Sequence, residues 1–264
     1  MSSSEAAPLL ISGATGRMGR TVARLALEDG SFSLVGGLDR EGATRGERLP
    51  ALAPVGSAGQ LLQQAQVIVD FSAPAFLQEL LETHADRLAG KALIIGTTGL
   101  SADQERLLDQ ASERAAVLTA ANFSVGVNLL LALVERAASS LGQEFDIEIV
   151  EAHHRRKEDA PSGTALALGR AAAAGRGVNL EDVRQDGRSG RPGARPAGEI
   201  GFHAMRGGDV IGDHQVHFIS ELERIELAHR ASDRSLFAAG ALRAARWLHG
   251  RAPGRYSMRD VLDL

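Results

Sequence analysis

The sequence contains no cysteine, no excess of positive charge and no long apolar run. The absence of cysteine excludes disulfide bonds, thiolate zinc sites and a cysteine nucleophile. A net charge of −4 argues against a dedicated nucleic-acid-binding protein, because phosphate contacts require a basic surface. No apolar stretch approaches the roughly 20 residues of a membrane span, and the N-terminal segment MSSSEAAPLLISGATG lacks the basic start of a secretory signal. We therefore expect a soluble, cytoplasmic protein without nucleic-acid or membrane partners.

The composition favours a folded chain with a sizeable core. Hydrophobic residues make up 44% of the 264 residues and charged residues 23%, which argues against wholesale disorder. This length suits one large domain or two ordinary ones.

A glycine-rich turn follows the first apolar segment. Leu9–Ile11 predicts a buried strand, Gly13–Gly19 (GATGRMG) a glycine turn, and the apolar periodicity after it a helix. In this arrangement the backbone approaches a pyrophosphate closely at the N-terminus of the helix. The glycine spacing is G-x-x-G-x-x-G and not G-x-G-x-x-G, so a plain strand-to-helix turn remains the alternative.

The second predicted strand, Phe32–Leu38, ends in an acidic and a basic residue. Asp39 lies twenty residues beyond Gly19, where a carboxylate accepts hydrogen bonds from the ribose hydroxyls of NAD. Arg40 is suited to pair with the additional phosphate of NADP. Because Asp39 would repel the phosphate that Arg40 attracts, both NADH and NADPH are expected to be usable, and the preference stays open.

Further strand and helix units place polar residues at the carboxyl ends of strands. Strands are predicted at Val67–Phe71, Leu93–Ile95 and Val117–Thr119, and Ser72 with Pro74 is predicted to open a helix. In a doubly wound sheet, ligands bind beyond the carboxyl ends of the strands. The sequence therefore predicts an α/β, Rossmann-like, doubly wound parallel sheet. Its predicted nucleotide contacts are Gly13, Ala14, Thr15, Gly16, Arg17, Met18, Asp39, Arg40, Gly96, Thr97, Thr98, Ala120, Ala121, Asn122 and Phe123.

The second half of the chain predicts a smaller α+β domain. Phe145–Glu151 alternates polar and apolar residues, which indicates a strand with one wet face. Three later strand-like segments without intervening helices, Ile200–Met205, Asp209–Ile219 and Arg224–Arg230, indicate an antiparallel or mixed sheet of about four strands. Gly207-Gly208 predicts a hairpin between the first two segments. One face of this sheet is expected to be covered by helices and the other to be available for self-association.

Two further features of the second half shape the prediction. Residues 175–198 are rich in Gly, Arg and Pro and lack periodicity, which predicts a mobile loop with a solvated run of arginines. The histidines on the later strands have neither helical ligand spacing nor a carboxylate cluster, so we predict no metal site. A final helix, capped by Ser232, is expected to return to the nucleotide domain.

Titratable groups are densest in Glu151–Ala165, EAHHRRKEDAPSGTA. His153 and His154 exchange protons near neutral pH, and Lys157 suits the protonation of an intermediate or the binding of a carboxylate. A capped helix N-terminus, which attracts anions, is predicted at Ser162, Gly163 and Thr164. The alternative is a polar loop before a capped helix, but the density of titratable groups favours an active site for a small carboxylated substrate.

These segments resemble the 4-hydroxy-tetrahydrodipicolinate reductases (formerly dihydrodipicolinate reductases) of lysine and diaminopimelate biosynthesis. The resemblance covers nearly the whole chain. The segments that carry it are Gly13–Gly19, Gly96–Gly99, Ala121–Asn128, Glu151–Ala165 and Arg206–Asp209 with Gly212 and His214. The central block, Glu151–Ala165, is highly specific, whereas the glycine turn by itself is not.

The resemblance implies a Rossmann-like dinucleotide-binding domain, residues 1–124 and 233–264, and a substrate-binding domain, residues 125–232, whose sheet builds a homotetramer. It implies hydride transfer from NADH or NADPH to a cyclic imine dicarboxylate, with loss of water overall, giving tetrahydrodipicolinate. By resemblance, His153 is the acid/base residue and Lys157 the proton donor. The substrate-binding positions implied in the same way are His154, Gly163 and Thr164.

Two positions depart from the family pattern. Ala73 stands where some members carry a basic residue for the NADP phosphate, which leaves Arg40 to act alone. Arg156 replaces a third histidine of some members, and we expect this change to be harmless. Two other functions compete with the reductase. One is a different nicotinamide-dependent amino-acid dehydrogenase, which would not need the central block, and the other is a non-catalytic nucleotide-binding sensor or scaffold.

Overall fold

The computed structural model describes residues 6–264, and the chain divides into two units. One unit comprises residues 6–124 with Ser235–Asp263, and the other comprises Val125–Arg234. Residues 1–5 lie outside the described residues. They belong to the N-terminal segment used above to argue against a secretory signal, and to the predicted first domain. Within residues 6–264, every helix is too short or too polar to cross a membrane.

The first unit is built on a parallel sheet. With elements numbered along the whole chain, its strands are β1 (Ala7–Ser12), β2 (Phe32–Leu38), β3 (Leu52–Ala53), β4 (Val67–Asp70), β5 (Ala92–Ile95), β6 (Ala116–Thr119) and β12 (Gly254–Tyr256). The strand order is β12-β6-β5-β4-β1-β2-β3, and all pairs are parallel. This is the doubly wound order of dinucleotide-binding folds with β12 added beside β6. The predicted Rossmann-like fold is confirmed.

Helices surround this sheet. They are α1 (Arg17–Glu28), α2 (Gly59–Gln64), α3 (Pro74–Thr83), α4 (Ala85–Leu88), α5 (Ala102–Ser112), α9 (Ser235–Leu248) and α10 (Met258–Leu262). Strands β4 and β5 are buried along their whole length, as strands covered on both faces are, and apart from Asp70 at the end of β4 they are apolar. Helix α3 starts at Pro74 as predicted. Its N-cap is Ala73, which has no side-chain cap, and the hydroxyl of Ser72 donates instead to Asp70 (2.8 Å).

The second unit is a mixed sheet with helices on one face. Its strands are β7 (Asp146–His153), β8 (Arg184–Asp186), β9 (Ile200–Arg206), β10 (Asp213–Ile219) and β11 (Arg224–Arg230), in the order β11-β10-β7-β9-β8. Its helices are α6 (Val125–Ser140), α7 (Gly163–Arg176) and α8 (Leu180–Val183). Val134 and Leu168 of the helices pack with Ile149, Phe202 and Phe218 of the sheet. The alternating pattern of β7 therefore buries one face of the sheet, as predicted.

The predicted hairpin at Gly207-Gly208 is wrong. Strands β9 and β10 are not paired with each other, because β7 lies between them, parallel to β9 and antiparallel to β10. The glycine pair instead carries the chain past the end of β7, where the N–H of Gly207 donates to the carbonyl of His153 (3.0 Å). The segment predicted from Asp209 becomes a strand only at Asp213. A glycine turn specifies a local bend, whereas strand pairing is decided by long-range packing.

The prediction of a structureless loop at 175–198 is wrong in part, because α8 and β8 lie within it. Its arginines are not all solvated either. Arg188 and Arg195 both pair with Glu148 on β7 (3.0 and 2.9 Å), and their side chains are only 26% and 17% exposed. Burial by itself would raise the pKa of Glu148, but hydrogen bonds from Arg188, Arg195 and His203 hold it at about 2.

Candidate active site

The glycine turn after β1 forms a tight cradle at the start of α1. Gly13 has a φ of +73°, and a Cβ there would lie 2.6 Å from the carbonyl oxygen of Phe71. A Cβ at Gly19 would lie 2.2 Å from the carbonyl oxygen of Gly13. Helix α1 begins at Arg17, and its N-cap, Gly16, has no side chain to fill the positive end of the helix. Backbone and helix dipole thus form a site that fits a pyrophosphate.

Asp39 joins the end of β2 to the glycine turn. Its Oδ2 accepts hydrogen bonds from the backbone N–H and the hydroxyl of Thr15, both at 2.7 Å. Its Oδ1 accepts the N–H of Arg40 at 2.9 Å. A cavity of about 410 Å³ opens beside this turn, lined in part by Ala14 and Thr15. Asp39 therefore orders the turn, a role that the sequence pattern did not indicate. Its contact with a ribose stays a prediction.

A fully buried carboxyl group, Asp70, links the ends of three strands in the first unit. It accepts hydrogen bonds from the hydroxyls of Ser12 at the end of β1, Ser72 after β4 and Thr97 after β5. Burial raises the pKa of Asp70, and the three hydroxyls oppose that rise only in part. Sequence reasoning missed this group. The signal for it was a carboxylate ending an otherwise apolar strand, VIVD.

The remaining predicted nucleotide contacts lie after β5 and β6. A second cavity, of about 200 Å³, is lined in part by Thr97, Thr98, Ala120 and Ala121. The side chain of Phe123 lies elsewhere: it is 2% exposed and packs edge-on against Phe71, with ring centroids 5.7 Å apart. Phe123 therefore belongs to the core, and its predicted contact with a nucleotide finds no exposed side chain here.

In the second unit, His153 is the last residue of β7, and Glu151 fixes its ring. Nδ1 of His153 lies 2.6 Å from Oε2 of Glu151, whose side chain is 1% exposed. Glu151 also accepts two hydrogen bonds from Arg206 (2.7 and 2.8 Å) and one from the N–H of Ser162 (3.1 Å). Burial would raise the pKa of Glu151, but the hydrogen bonds of Arg206 and His153 bring it below the ordinary value. A carboxylate at Nδ1 leaves Nε2 of His153 for proton exchange.

His214 of the neighbouring strand β10 and Gly212, just before that strand, shape the space around His153. The ring of His214 packs edge-on against it at 5.2 Å, and Nε2 of His214 lies 3.2 Å from the hydroxyl of Ser162. Burial, followed by the charge of His153, lowers the pKa of His214 to about 4, so this ring is neutral at neutral pH. A Cβ at Gly212 would lie 3.1 Å from Nε2 of His153, so the glycine leaves that nitrogen room.

Cationic side chains gather around His154. Partial burial of the ring, then the charges of Arg234, Arg156 and Lys157 among its neighbours, lower the pKa of His154. In this structure Nζ of Lys157 lies 2.8 and 2.9 Å from the two carboxylate oxygens of Asp159. Sequence reasoning did not include Arg234, since it lies 77 residues after Lys157 and belongs to no local motif.

Helix α7 begins beside this cluster. Ser162 is its N-cap, as predicted, and its hydroxyl accepts the N–H of Ala165 at 3.2 Å. Ser162 is 2% exposed, and its hydroxyl also contacts His214. The hydroxyl therefore bonds to groups inside the protein and is not presented to solvent. Gly163 is exposed at the first position of the helix. Across residues 6–264, no three His, Asp or Glu side chains are grouped so that they could hold a metal ion.

Comparisons with known proteins agree over almost the whole chain. The family profile described as "Dihydrodipicolinate reductase, N-terminus" matches residues 7–123, and that described as "Dihydrodipicolinate reductase, C-terminus" matches residues 126–262. The 4-hydroxy-tetrahydrodipicolinate reductase of Parvibaculum lavamentivorans is 51% identical, with 97% of each chain covered. That of Ruegeria pomeroyi is 47% identical, with 97% of this chain and 98% of the relative covered. A dipicolinate-bound dihydrodipicolinate reductase structure from Paenisporosarcina sp. TG-14 is 22% identical, with a TM-score of 0.75 over 96% of this chain and 97% of that one.

The parallel sheet, the glycine cradle and these matches define a nicotinamide-dependent reductase. The chain belongs to the dihydrodipicolinate reductase family. The predicted role as an oxidoreductase of lysine and diaminopimelate biosynthesis is therefore confirmed.

Proposed function

We propose that this chain reduces 4-hydroxy-tetrahydrodipicolinate to tetrahydrodipicolinate at the site formed by His153 and Lys157. One observation carries the assignment of residues. Within a single stretch of the second unit, an imidazole anchored on a buried carboxylate lies beside a lysine and the N-terminus of α7. Proton donors next to an anion-binding helix end are the groups that reduction of a carboxylated imine requires.

A dicarboxylate needs two anion sites, and the second unit offers two regions of positive potential. The N-terminus of α7 at Gly163 and Thr164 is one, because the helix dipole favours an anion there. The cations around His154 form the other: Arg234, Arg156 and Lys157. The relative from Paenisporosarcina binds dipicolinate, a dicarboxylate, which supports this class of ligand.

The first unit fits a nicotinamide cofactor, since Cβ atoms at Gly13 and Gly19 would fill the cradle and α1 has no side-chain cap. Among the residues that would hold the cofactor are Gly13–Met18, Asp39, Arg40, Gly96–Thr98 and the loop 120–123. When bound, the reduced nicotinamide supplies the hydride. The 4-hydroxyl leaves as water with a ring proton, and Lys157 donates the proton that accompanies the hydride. Nε2 of His153 exchanges a proton with the substrate. Asp159 holds Lys157 until a substrate carboxylate replaces it.

Both NADH and NADPH are proposed as cofactors, and we propose no metal. Asp39 stands at the ribose position and disfavours the additional phosphate of NADP, whereas Arg40 beside it is exposed and attracts that phosphate. Ala73, the N-cap of α3, adds no charge of its own. The two neighbouring side chains therefore oppose each other, and neither cofactor is excluded.

We further propose a cytoplasmic homotetramer that associates through the face of the second sheet opposite α6 and α7. That face presents Val150 and Ala152 of β7 beside Met205 of β9, whose residue exposure is 56%. Apolar residues of this kind on one sheet face favour association. Size-exclusion chromatography with light scattering should give four times the chain mass; a monomer at micromolar concentration would contradict the tetramer.

A coupled assay tests the reaction. The unstable substrate is generated from pyruvate and aspartate semialdehyde by the preceding synthase, and loss of reduced nicotinamide absorbance is followed with NADH and NADPH separately. Oxidation that depends on the synthase supports the proposal, and the two rates give the cofactor preference. No oxidation by a folded protein that binds NADH would favour a nucleotide-binding sensor, and oxidation of an amino acid without the synthase would favour a dehydrogenase.

A further inference from the structure

We propose that Arg206 is a positioning residue that holds both acid/base groups of this site in register. The inference rests on the proposed roles of His153 and Lys157. Arg206 reaches the two groups from a different strand, β9, and touches neither of them in the contacts described above. It acts through Glu151, which orients His153, and through Asp159, which holds Lys157.

The contacts of Arg206 are specific on both sides. Its Nη1 and Nη2 form a two-point pair with the carboxylate of Glu151 at 2.8 and 2.7 Å. Nη2 also donates to the backbone carbonyl of Asp159 at 2.7 Å, whose carboxylate binds Nζ of Lys157. A planar guanidinium makes these three bonds at fixed angles, which a lysine ammonium on a flexible stem does not.

The sheet register explains why Arg206 stands in this place. His153 and Arg206 are directly paired at the ends of the parallel strands β7 and β9, on the face that carries the buried Glu151. The side chain of Arg206 is 20% exposed, so its ion pair with the 1% exposed Glu151 is largely shielded from water. In such surroundings an unpaired carboxylate or guanidinium is costly, so each fixes the other.

Charge gives Arg206 a second effect, on the protonation of His153. The titratable and charged groups that face His153 are Glu151 on its own strand, Arg206 on β9, His214 on β10, and His154, Lys157 and Asp159 in the following loop. Glu151 and Arg206 carry opposite charges next to His153, so removing one or the other changes the electric field at this ring in opposite senses. The pH limb of the reaction should therefore move up when Arg206 is removed and down when the charge of Glu151 is removed.

Arg206→Met, Arg206→Lys and Glu151→Gln would be compared with the wild type in the coupled assay. Arg184→Met is the matched control, because Arg184 makes a two-point pair with Asp186 in the same sheet (2.9 and 2.7 Å) away from the site. We expect Arg206→Met to lower kcat about thirtyfold with the KM for NADH unchanged, and Arg184→Met to leave both unchanged. The pH limb of kcat should move up in Arg206→Met and down in Glu151→Gln. Arg206→Lys keeps the positive charge, so its pH limb should match that of the wild type, but kcat should recover only in part.

A second readout separates this inference from the proposed function. Histidine-selective ¹⁵N NMR of the substrate-free protein, with His153 assigned through His153→Gln, reports its tautomer and its titration without any turnover. Opposite shifts in Arg206→Met and Glu151→Gln support the role of Arg206 even if the assay shows no reaction. Equal kcat in Arg206→Met and Arg184→Met, or His153 shifts of the same sign, would overturn it. If Arg206→Met does not fold, wild-type kcat in Arg206→Lys is the contradicting result.

Discussion

Each unit contains a buried carboxyl group that links the ends of strands, and the surroundings of the two groups shift their pKa values in opposite directions. Asp70 in the first unit is surrounded by three hydroxyls, and burial raises its pKa. Glu151 in the second unit is surrounded by Arg206, His153 and a backbone N–H, and its pKa is lowered. Neutral partners suit a group that only shapes loops, whereas charged partners suit a group that controls a proton.

The partners of the two carboxyl groups differ in charge, and this difference matches the roles that we propose for the two units. In the first, Asp70 joins the ends of β1, β4 and β5 through hydrogen bonds to three neutral hydroxyls. In the second, Glu151 fixes the ring of His153, for which we propose an acid/base role. Binding and proton transfer are thus supported by different electrostatic environments.

The largest expected effect tests whether proton transfer belongs to the second unit alone. His153→Ala and Lys157→Ala should each lower kcat about a hundredfold or more, because each removes a general acid or base. NADH binding, measured by fluorescence titration, should stay within about twofold, since the cradle lies in the other unit. His249→Ala, an exposed histidine bonded to Gln66 (2.8 Å), is the control. Unchanged turnover in both variants would refute the site assignment.

The next effect compares the stability that the two carboxyl groups provide. Glu151→Gln should lower the free energy of unfolding at pH 7 by about 3 kcal/mol, because Arg206 loses its buried ionic partner. Asp70→Asn should cost less than about 1 kcal/mol, since hydroxyls can accept from an amide as readily as they donate to a carboxyl. Urea unfolding followed by circular dichroism measures both. Equal losses would show that the partners of the two groups do not matter.

The pH dependence of these two variants should have opposite signs. The folded-state pKa of Glu151 lies below its unfolded value, so its contribution is present above about pH 4.5 and is lost as pH falls. The folded-state pKa of Asp70 lies above its unfolded value, so its ionisation destabilises the fold as pH rises above about 3.8. Relative to the wild type, Glu151→Gln should lose stability with rising pH and Asp70→Asn should gain it. Parallel unfolding curves between pH 3 and 8 would contradict this.

The smallest effect concerns the nucleotide cradle. Asp39→Asn keeps the hydrogen-bond acceptor for Thr15 but removes the charge that repels the NADP phosphate. The ratio of kcat/KM for NADPH to that for NADH should rise about five- to tenfold, which corresponds to roughly 1 kcal/mol. Asp39→Ala should show the same shift with a further loss for both cofactors, because the turn is no longer anchored. A shift toward NADH would refute this account of the ribose pocket.

Local patterns predicted the first unit well, because its strands are short apolar runs followed by polar ends. The strand Phe32–Leu38 is observed with the predicted bounds, and Leu93–Ile95 lies within β5. The predicted contacts of the glycine turn lie at the start of α1. In sequential strand and helix units, each strand has few possible neighbours in the sheet. The apolar periodicity therefore predicts most of this sheet without further information.

The second unit was predicted less completely, since its sheet depends on contacts between distant segments. Nothing near Gly207-Gly208 indicates that β7, more than 50 residues earlier, lies between β9 and β10. Arg188 and Arg195 looked solvated because their partner, Glu148, belongs to another strand. The role of Arg206 was not predictable for the same reason, because its partner Glu151 lies on a distant segment. His153 was recognisable from its motif, but the group that orients its carboxylate is visible only once β7 and β9 are aligned.

Strand β12 has a consequence for how the chain is made. It closes the edge of the first sheet beside β6, and α9, which comes just before it, packs on β4, β5 and β6. Both segments come from the last 30 residues of the chain, after all of the second unit has been synthesised. The first sheet therefore receives its last strand only after the whole second unit has been synthesised. The first unit is thus the first to begin synthesis and the last to have all its strands available.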